Sequence, residues 1–189
     1  MLTALLVSTL VVAVAEIGDK TQLLSLLLAA RFRKPLPIIA GIASATLANH
    51  SLAALAGEWV RTQLGPEALR WAIGLSMLAI AAWALRPDRY DGNVQQKGRW
   101  GVFAVTCVAF FLVEIGDKTQ IATVVLAAQY HALYAVVLGT TAGMLIANAP
   151  VVVFAHRFTD RVPIKWVRVG ASVMFAALGM LALTGYVNA

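Results

Sequence analysis

The sequence predicts an all-α membrane protein whose six transmembrane helices form two inverted three-helix repeats. The first observation behind this prediction is composition: 60% of the 189 residues are hydrophobic and 13% are charged, whereas charged residues make up about 25% of a soluble domain. The second is the heptapeptide EIGDKTQ, which occurs at 16–22 and recurs unchanged at 114–120. Each copy lies inside a long apolar segment, so two matching helices carry the same polar motif.

Six apolar segments are long enough to cross a membrane, since a helix needs about 20 residues to span a hydrocarbon core of about 30 Å. The first has no positive region ahead of its apolar run and is interrupted by acidic residues, unlike a cleaved signal peptide, so we expect it to be retained. The fourth matches the first in its motif. We expect helices at 2–30, 36–57, 68–85, 101–128, 132–155 and 166–187.

Small residues and tryptophans characterise the other four helices. The second and fifth carry small residues four positions apart, Gly41 with Ala45 and Gly139 with Gly143, and this spacing allows membrane helices to pack closely. The third and sixth each have a tryptophan near one end, as expected of the aromatic belts at membrane interfaces.

The offset of 98 residues between the motifs extends to their surroundings. Gly41 corresponds to Gly139 and, with a shift of one residue, Asn49 corresponds to Asn148. Because three is an odd number of helices, the second repeat enters the membrane from the opposite side, as in many secondary transporters, whose substrate sites lie near the midplane. We expect a first repeat at 1–86, a cytoplasmic linker at 87–100 and a second repeat at 101–189.

The basic residues indicate how the helices are oriented. Of fifteen lysines and arginines, eleven lie in the loops after the first, third and fifth helices, so these loops face the cytoplasm by the positive-inside rule and both termini are extracytoplasmic. This asymmetry accounts for the net charge of +6 without a nucleic-acid partner. With one cysteine, Cys107, and no HExxH or GxSxG motif, the sequence predicts neither a disulfide nor an enzyme.

Each motif places two carboxylates at a depth in the membrane where an ionisable side chain costs roughly 2.5 to 3.5 kcal/mol. Residues three apart lie on one face of a helix, and inverted repeats bring the two pairs towards each other. Gly18 and Gly116, between the acids, allow a local break in each helix. Carboxylate oxygens favour hard divalent cations such as Mg²⁺, Ca²⁺ and Mn²⁺. The predicted cation ligands are Glu16, Asp19, Glu114 and Asp117.

Other polar residues complete the predicted site. Lys20 and Lys118 each follow the glutamate of their own motif by four residues, so each can pair with it and tune the charge. With all six groups ionised the cluster has a charge of −2, which one divalent cation neutralises. Carboxylates crowded together away from water favour protons when the cation is absent, which indicates exchange. Further candidates for ligands or orienting groups are Thr21, Gln22, Asn49, Thr119, Gln120 and Asn148.

Other interpretations of these residues stay open. The motifs can form salt bridges that only lock the first helix against the fourth, although acids outnumber bases four to two. The paired acids can also serve an exporter of a small organic cation, such as a basic amino acid, or line a passive cation channel. His50 is a metal ligand or proton relay, or it has a polar packing or pore-lining role. Its counterpart in the second repeat is about Ala149.

At both motifs the chain resembles the E-x-G-D-[KR]-[TS] cation transporters, which include bacterial manganese exporters of the MneA type and the GDT-type manganese and calcium transporters of the Golgi and of plastids. All six motif positions match in both copies. The resemblance implies that the four acids bind the transported ion, that Mn²⁺ or Ca²⁺ is exchanged for H⁺, and that the lysine exporter superfamily is distantly related. The short basic linker, in place of a long acidic one, is typical of a compact bacterial form.

We therefore expect a secondary active transporter that exports Mn²⁺, or Ca²⁺, by exchange with protons across the inner (plasma) membrane. Its expected partners are a divalent metal ion, protons and the lipid bilayer. We expect no cofactor apart from the transported ion as bound substrate. A homo-oligomer is left open.

Overall fold

The computed structural model of the protein describes residues 1–86, 101–154 and 164–184. The predicted linker at 87–100 lies outside these residues, as do the last residue of the predicted fifth helix and the last three of the sixth. The described residues form helices and no strand, so the all-α prediction is confirmed. The helices are α1 (Leu2–Glu16), α2 (Lys20–Phe32), α3 (Pro35–Gln63), α4 (Pro66–Ala84), α5 (Val102–Glu114), α6 (Lys118–Tyr130), α7 (Leu133–Val153) and α8 (Ile164–Leu183).

Each motif interrupts its helix instead of lying within it. α1 ends at Glu16 and α2 begins at Lys20, and the two helices are bent by 71° at the break. α5 and α6 are separated at the second motif in the same way. The prediction that the first and fourth helices are continuous is therefore wrong, because Gly18 and Gly116 adopt a left-handed backbone conformation that ends a right-handed helix. The local break that these glycines allow is confirmed.

Four helices, α3, α4, α7 and α8, are long and apolar enough to cross a membrane. α1 and α2 together make a fifth span if the bent pair counts as one, and α5 is a shorter apolar helix. The chain is a multi-pass membrane protein, and the count of six spans stays a prediction. The bounds of α4 agree with its predicted range to within two residues, whereas α3 continues to Gln63, beyond its predicted end.

Polar side chains are buried in this protein, while many large apolar side chains face outwards. Glu16 and Asn49 have no exposed surface, whereas Leu52 and Leu112 are 58% and 62% exposed. A soluble protein rarely buries a charged side chain without a partner. This distribution is expected where lipid covers the outer surface and the polar groups line an interior site.

The two halves of the chain pack against each other through corresponding contacts. α3 packs against α5 as α7 packs against α1, and α4 packs against α8. A Cβ added at Gly41 would lie 2.9 Å from the carbonyl oxygen of Phe103, and one at Gly139 would lie 2.5 Å from that of Leu5. Phe103 and Leu5 are themselves 98 residues apart. The close packing predicted for these glycines is confirmed, and it brings α3 and α7 alongside the two helix breaks.

Candidate cation site

A glycine with positive φ turns the chain at each break. φ is 79° at Gly18 and 75° at Gly116, in the left-handed region that other residues occupy at a cost of about 1–2 kcal/mol. The Gly18 amide donates a hydrogen bond to Gln22 Oε1 at 2.8 Å, and the Gly116 amide donates one to Gln120 Oε1 at 2.7 Å. The glutamine of each motif thus ties the break to the first turn of the following helix.

The four predicted acids lie at these breaks, and all are buried, with a relative exposure of 1% or less. Glu16 and Glu114 end α1 and α5, whereas Asp19 and Asp117 immediately precede α2 and α6. The C-terminal end of a helix carries a partial negative charge and the N-terminal end a partial positive charge. The site therefore lies among two helix ends of each kind.

Each glutamate accepts a hydrogen bond from the threonine of its own motif. The Thr119 hydroxyl donates to Glu114 Oε1 at 2.6 Å, and the Thr21 hydroxyl donates to Glu16 Oε2. The other oxygen of each carboxylate, Glu16 Oε1 and Glu114 Oε2, is buried without a hydrogen-bond partner in the described part of the chain. The threonines therefore orient the carboxylates and leave one oxygen of each for a ligand.

Each lysine pairs with the aspartate of the other motif. Lys118 Nζ donates a hydrogen bond to Asp19 Oδ1, and Lys20 Nζ lies 3.2 Å from Asp117 Oδ1. These ion pairs differ from the predicted pairing of each lysine with the glutamate four residues before it, because the break removes the helical turn on which that prediction depends. The ion pairs instead join the two halves of the chain. Lys118 is nearly buried, whereas the Lys20 side chain is 23% exposed.

Three of the four acids come close enough to hold one cation. Glu16, Asp19 and Asp117 each place a carboxylate oxygen within 4.8 Å of the other two. Two oxygens on opposite sides of an ion at about 2.2 Å, between the usual distances for Mg²⁺ and Ca²⁺, are roughly 4.4 Å apart, so small side-chain rotations suffice. Glu114 lies outside this group of three, and its Oε1 is 3.5 Å from His50 Nε2.

The amide side chains predicted as ligands or orienting groups form hydrogen bonds with other protein groups. Gln120 Nε2 donates to Asn49 Oδ1, and Asn49 Nδ2 donates to the Phe111 carbonyl at 3.2 Å. Asn148 Oδ1 accepts a hydrogen bond from the Ser25 hydroxyl at 2.7 Å. Every one of these bonds joins one half of the chain to the other. The amides therefore join the two halves beside the helix breaks, and each amide oxygen that accepts one hydrogen bond keeps a second lone pair.

Known proteins resemble the chain over nearly its whole length. A family model described as divalent cation/proton antiporter GDT1 matches residues 4–92 and 102–188, each of which contains one motif. The chain belongs to the GDT1 family. A Vibrio cholerae serotype O1 protein named "Putative manganese exporter" is 50% identical over 181 residues, which cover 95% of this chain and 90% of that protein. A GDT1-like protein of Synechocystis sp. is 27% identical over 177 residues, 82% of each chain. No solved structure matches.

Membership of the GDT1 family confirms the resemblance seen at the two motifs. In this GDT1-family protein, two interior contacts were missed by the sequence reasoning. Ser25 supports Asn148, and it lies one helical turn after Thr21 on the same face of α2, a spacing that could have indicated it. The contact of His50 with Glu114 joins residues far apart in the chain and has no local signal.

Proposed function

We propose that the protein exports Mn²⁺ from the cytoplasm in exchange for protons, at one site that the four motif acids share. The observation that carries this proposal is the convergence of Glu16, Asp19 and Asp117, from both halves of the chain, on one buried point, with Glu114 nearby. Membership of a family of divalent cation/proton antiporters supports the reaction. The relative named for manganese export supports the ion and the direction.

Charge balance favours the exchange of one ion for protons. Four carboxylates and two ammonium groups have a net charge of −2 when all are ionised. Either one divalent cation or two protons neutralise this charge, and both bind at carboxylate oxygens. An uncompensated charge in a buried site is costly, so the cation and the protons replace each other.

The lysines hold the aspartates when no cation is bound. Lys118 lies against Asp19 and Lys20 against Asp117, each from the opposite half of the chain. A cation that binds the aspartates competes with both ammonium groups, which must withdraw from the carboxylates. Because each ion pair joins the two halves, replacing lysine by the cation also changes the contacts between the halves.

The relation between the two halves supports alternating access. The motifs, the interior glycines and the lysine–aspartate pairs all recur at an offset of 98 residues, which supports two repeats of one unit. In transporters of this kind the site lies between the repeats near the midplane, and one repeat moves against the other. In our proposal α1–α2 and α5–α6 are two broken spans, which with α3, α4, α7 and α8 make six. The protein lies in the inner membrane with both termini extracytoplasmic.

Proton-driven flux in proteoliposomes tests the proposal. We expect an imposed pH gradient to drive Mn²⁺ transport by the wild-type protein, and we expect Glu16→Gln to abolish it, because the amide removes a negative ligand from the site. Glu67→Gln is the matched control. It makes the same change at a glutamate whose side chain is 70% exposed, so the flux should stay at the wild-type level.

Each rival function predicts a different result in the same vesicles. Mn²⁺ flux that does not respond to the pH gradient would contradict proton coupling and favour a passive channel. Transport of lysine or arginine by a protein that does not move Mn²⁺ would favour an exporter of organic cations. Wild-type flux in Glu16→Gln would contradict the proposal that Glu16 is a ligand of the cation.

A further inference from the structure

His50 lies in the middle of α3 and places its imidazole ring beside one of the acids. The residue has no exposed surface, and neither Nδ1 nor Nε2 has a hydrogen-bond partner in the part of the chain that the structure describes. Nε2 lies 3.5 Å from Glu114 Oε1, without the geometry of a hydrogen bond. Buried polar groups normally have a partner, so a ring with two unsatisfied nitrogens next to a carboxylate requires an explanation.

The separation of Nε2 from Oε1 suits two ligands of one ion. Ligands that bind an ion at about 2.2 Å and at right angles to each other are roughly 3.1 Å apart. The observed 3.5 Å is slightly longer, and a small rotation of either side chain removes the difference. Glu114 Oε2, which is also buried without a hydrogen-bond partner among the described residues, offers a further oxygen to the same ion.

We propose that His50 is a nitrogen ligand of the transported cation, together with Glu114, and that it favours Mn²⁺ over Ca²⁺. This inference rests on the proposed function, because it adds a ligand to the same site. Ca²⁺ takes oxygen ligands, whereas imidazole is a ligand of first-row transition ions. A site made only of oxygens separates the two ions by size, ligand number and flexibility. A ring nitrogen adds a chemical distinction and, as a neutral group, leaves the charge of the site unchanged.

The nitrogen ligand is present in only one half of the chain. The position that corresponds to His50 in the second half is Ala149. A site with several imidazoles would favour ions such as Zn²⁺ and Cu²⁺. One nitrogen among carboxylates keeps the hard oxygen character that Mn²⁺ accepts, while it disfavours Ca²⁺.

Pulsed electron paramagnetic resonance of the purified protein with bound Mn²⁺ tests this ligand directly. We expect the spin echo of the wild-type complex to show modulation from a coordinated nitrogen nucleus, and we expect His50→Gln to remove it. His131→Gln is the matched control, because it makes the same substitution at an exposed histidine that follows α6. Its nitrogen modulation should equal that of the wild type.

Competition between Mn²⁺ and Ca²⁺ for the purified protein gives a second measurement. We expect His50→Gln to lower the ratio of Mn²⁺ affinity to Ca²⁺ affinity about tenfold, the size of effect seen when a metal site loses a supporting group. A purely structural role would weaken both affinities together and leave the ratio unchanged.

Two results would overturn this inference while leaving the proposed function in place. They are a wild-type Mn²⁺ complex without nitrogen modulation, and an affinity ratio that His50→Gln does not change. The first needs no variant, so it decides the question even if His50→Gln does not fold. Wild-type protein that binds neither Mn²⁺ nor Ca²⁺ would instead overturn the proposed function itself.

Discussion

Alanine in place of Gly116 tests whether the helix break is needed to bind the cation. Gly116 has a φ of 75°, and a Cβ added there meets no atom within 4 Å. The substitution therefore introduces backbone strain without a steric clash, at a cost of about 1–2 kcal/mol. A free-energy change of that size alters the ratio of molecules with the broken backbone to molecules with a straightened backbone about 5- to 30-fold. We expect the affinity for Mn²⁺ to fall by up to the same factor.

Calorimetric titration of the purified protein with Mn²⁺ measures this fall. Gly65→Ala is the matched control, because Gly65 also has free space for a Cβ but has a φ of −67°, which alanine adopts without strain. Wild-type affinity in Gly116→Ala would refute the reasoning. An equal loss in both variants would refute it too, because the positive φ would then not be the cause.

Three further predictions concern the packing, the ion pairs and the competition with protons. Gly139→Ala should destabilise the protein by roughly 1–3 kcal/mol, as overpacking does, because its Cβ would lie 2.5 Å from a carbonyl oxygen of α1. Gly170→Ala should not destabilise the protein, because a Cβ added there meets no atom within 4 Å. Equal thermal midpoints for the two variants would contradict the packing argument. Lys118→Met should lower the free energy of unfolding by about 3–5 kcal/mol, as the loss of one partner of a buried ion pair does. Lys20→Met should lower it by less, because the Lys20 side chain is 23% exposed. If chemical denaturation showed that Lys20→Met is the more destabilising of the two, the prediction would be wrong. Finally, Mn²⁺ affinity should rise with pH, because protons compete for the same carboxylates and fewer are bound at high pH. A constant affinity in titrations at several pH values would argue against a shared site.

Local patterns in the sequence were sufficient to predict the helical class, the approximate positions of α3, α4, α7 and α8, and the position of the buried acids. Each of these depends on information carried by neighbouring residues, such as the length of an apolar run or a charge inside it. The break at Gly18 is also a local property, since a glycine between two acids offers a backbone conformation that other residues avoid.

The partners of the acids could not be predicted in the same way. On a continuous helix Lys20 would meet Glu16, but the break redirects it towards Asp117 in the other half of the chain. The contact of His50 with Glu114 joins residues 64 positions apart. Both contacts depend on how the two halves dock, and no periodic pattern along the chain contains that information.

The crossed lysine–aspartate pairs make the two halves of the chain depend on each other. A half that stood alone would keep its aspartate and its lysine, but the counter-charge of each comes from the other half. Reciprocal contacts of this kind are what a two-fold axis produces between identical subunits. A protein of half this length with the same motif would therefore have to work as a symmetric pair. Because both copies of the motif lie in one polypeptide, the two partners are always made in equal numbers and meet without a search.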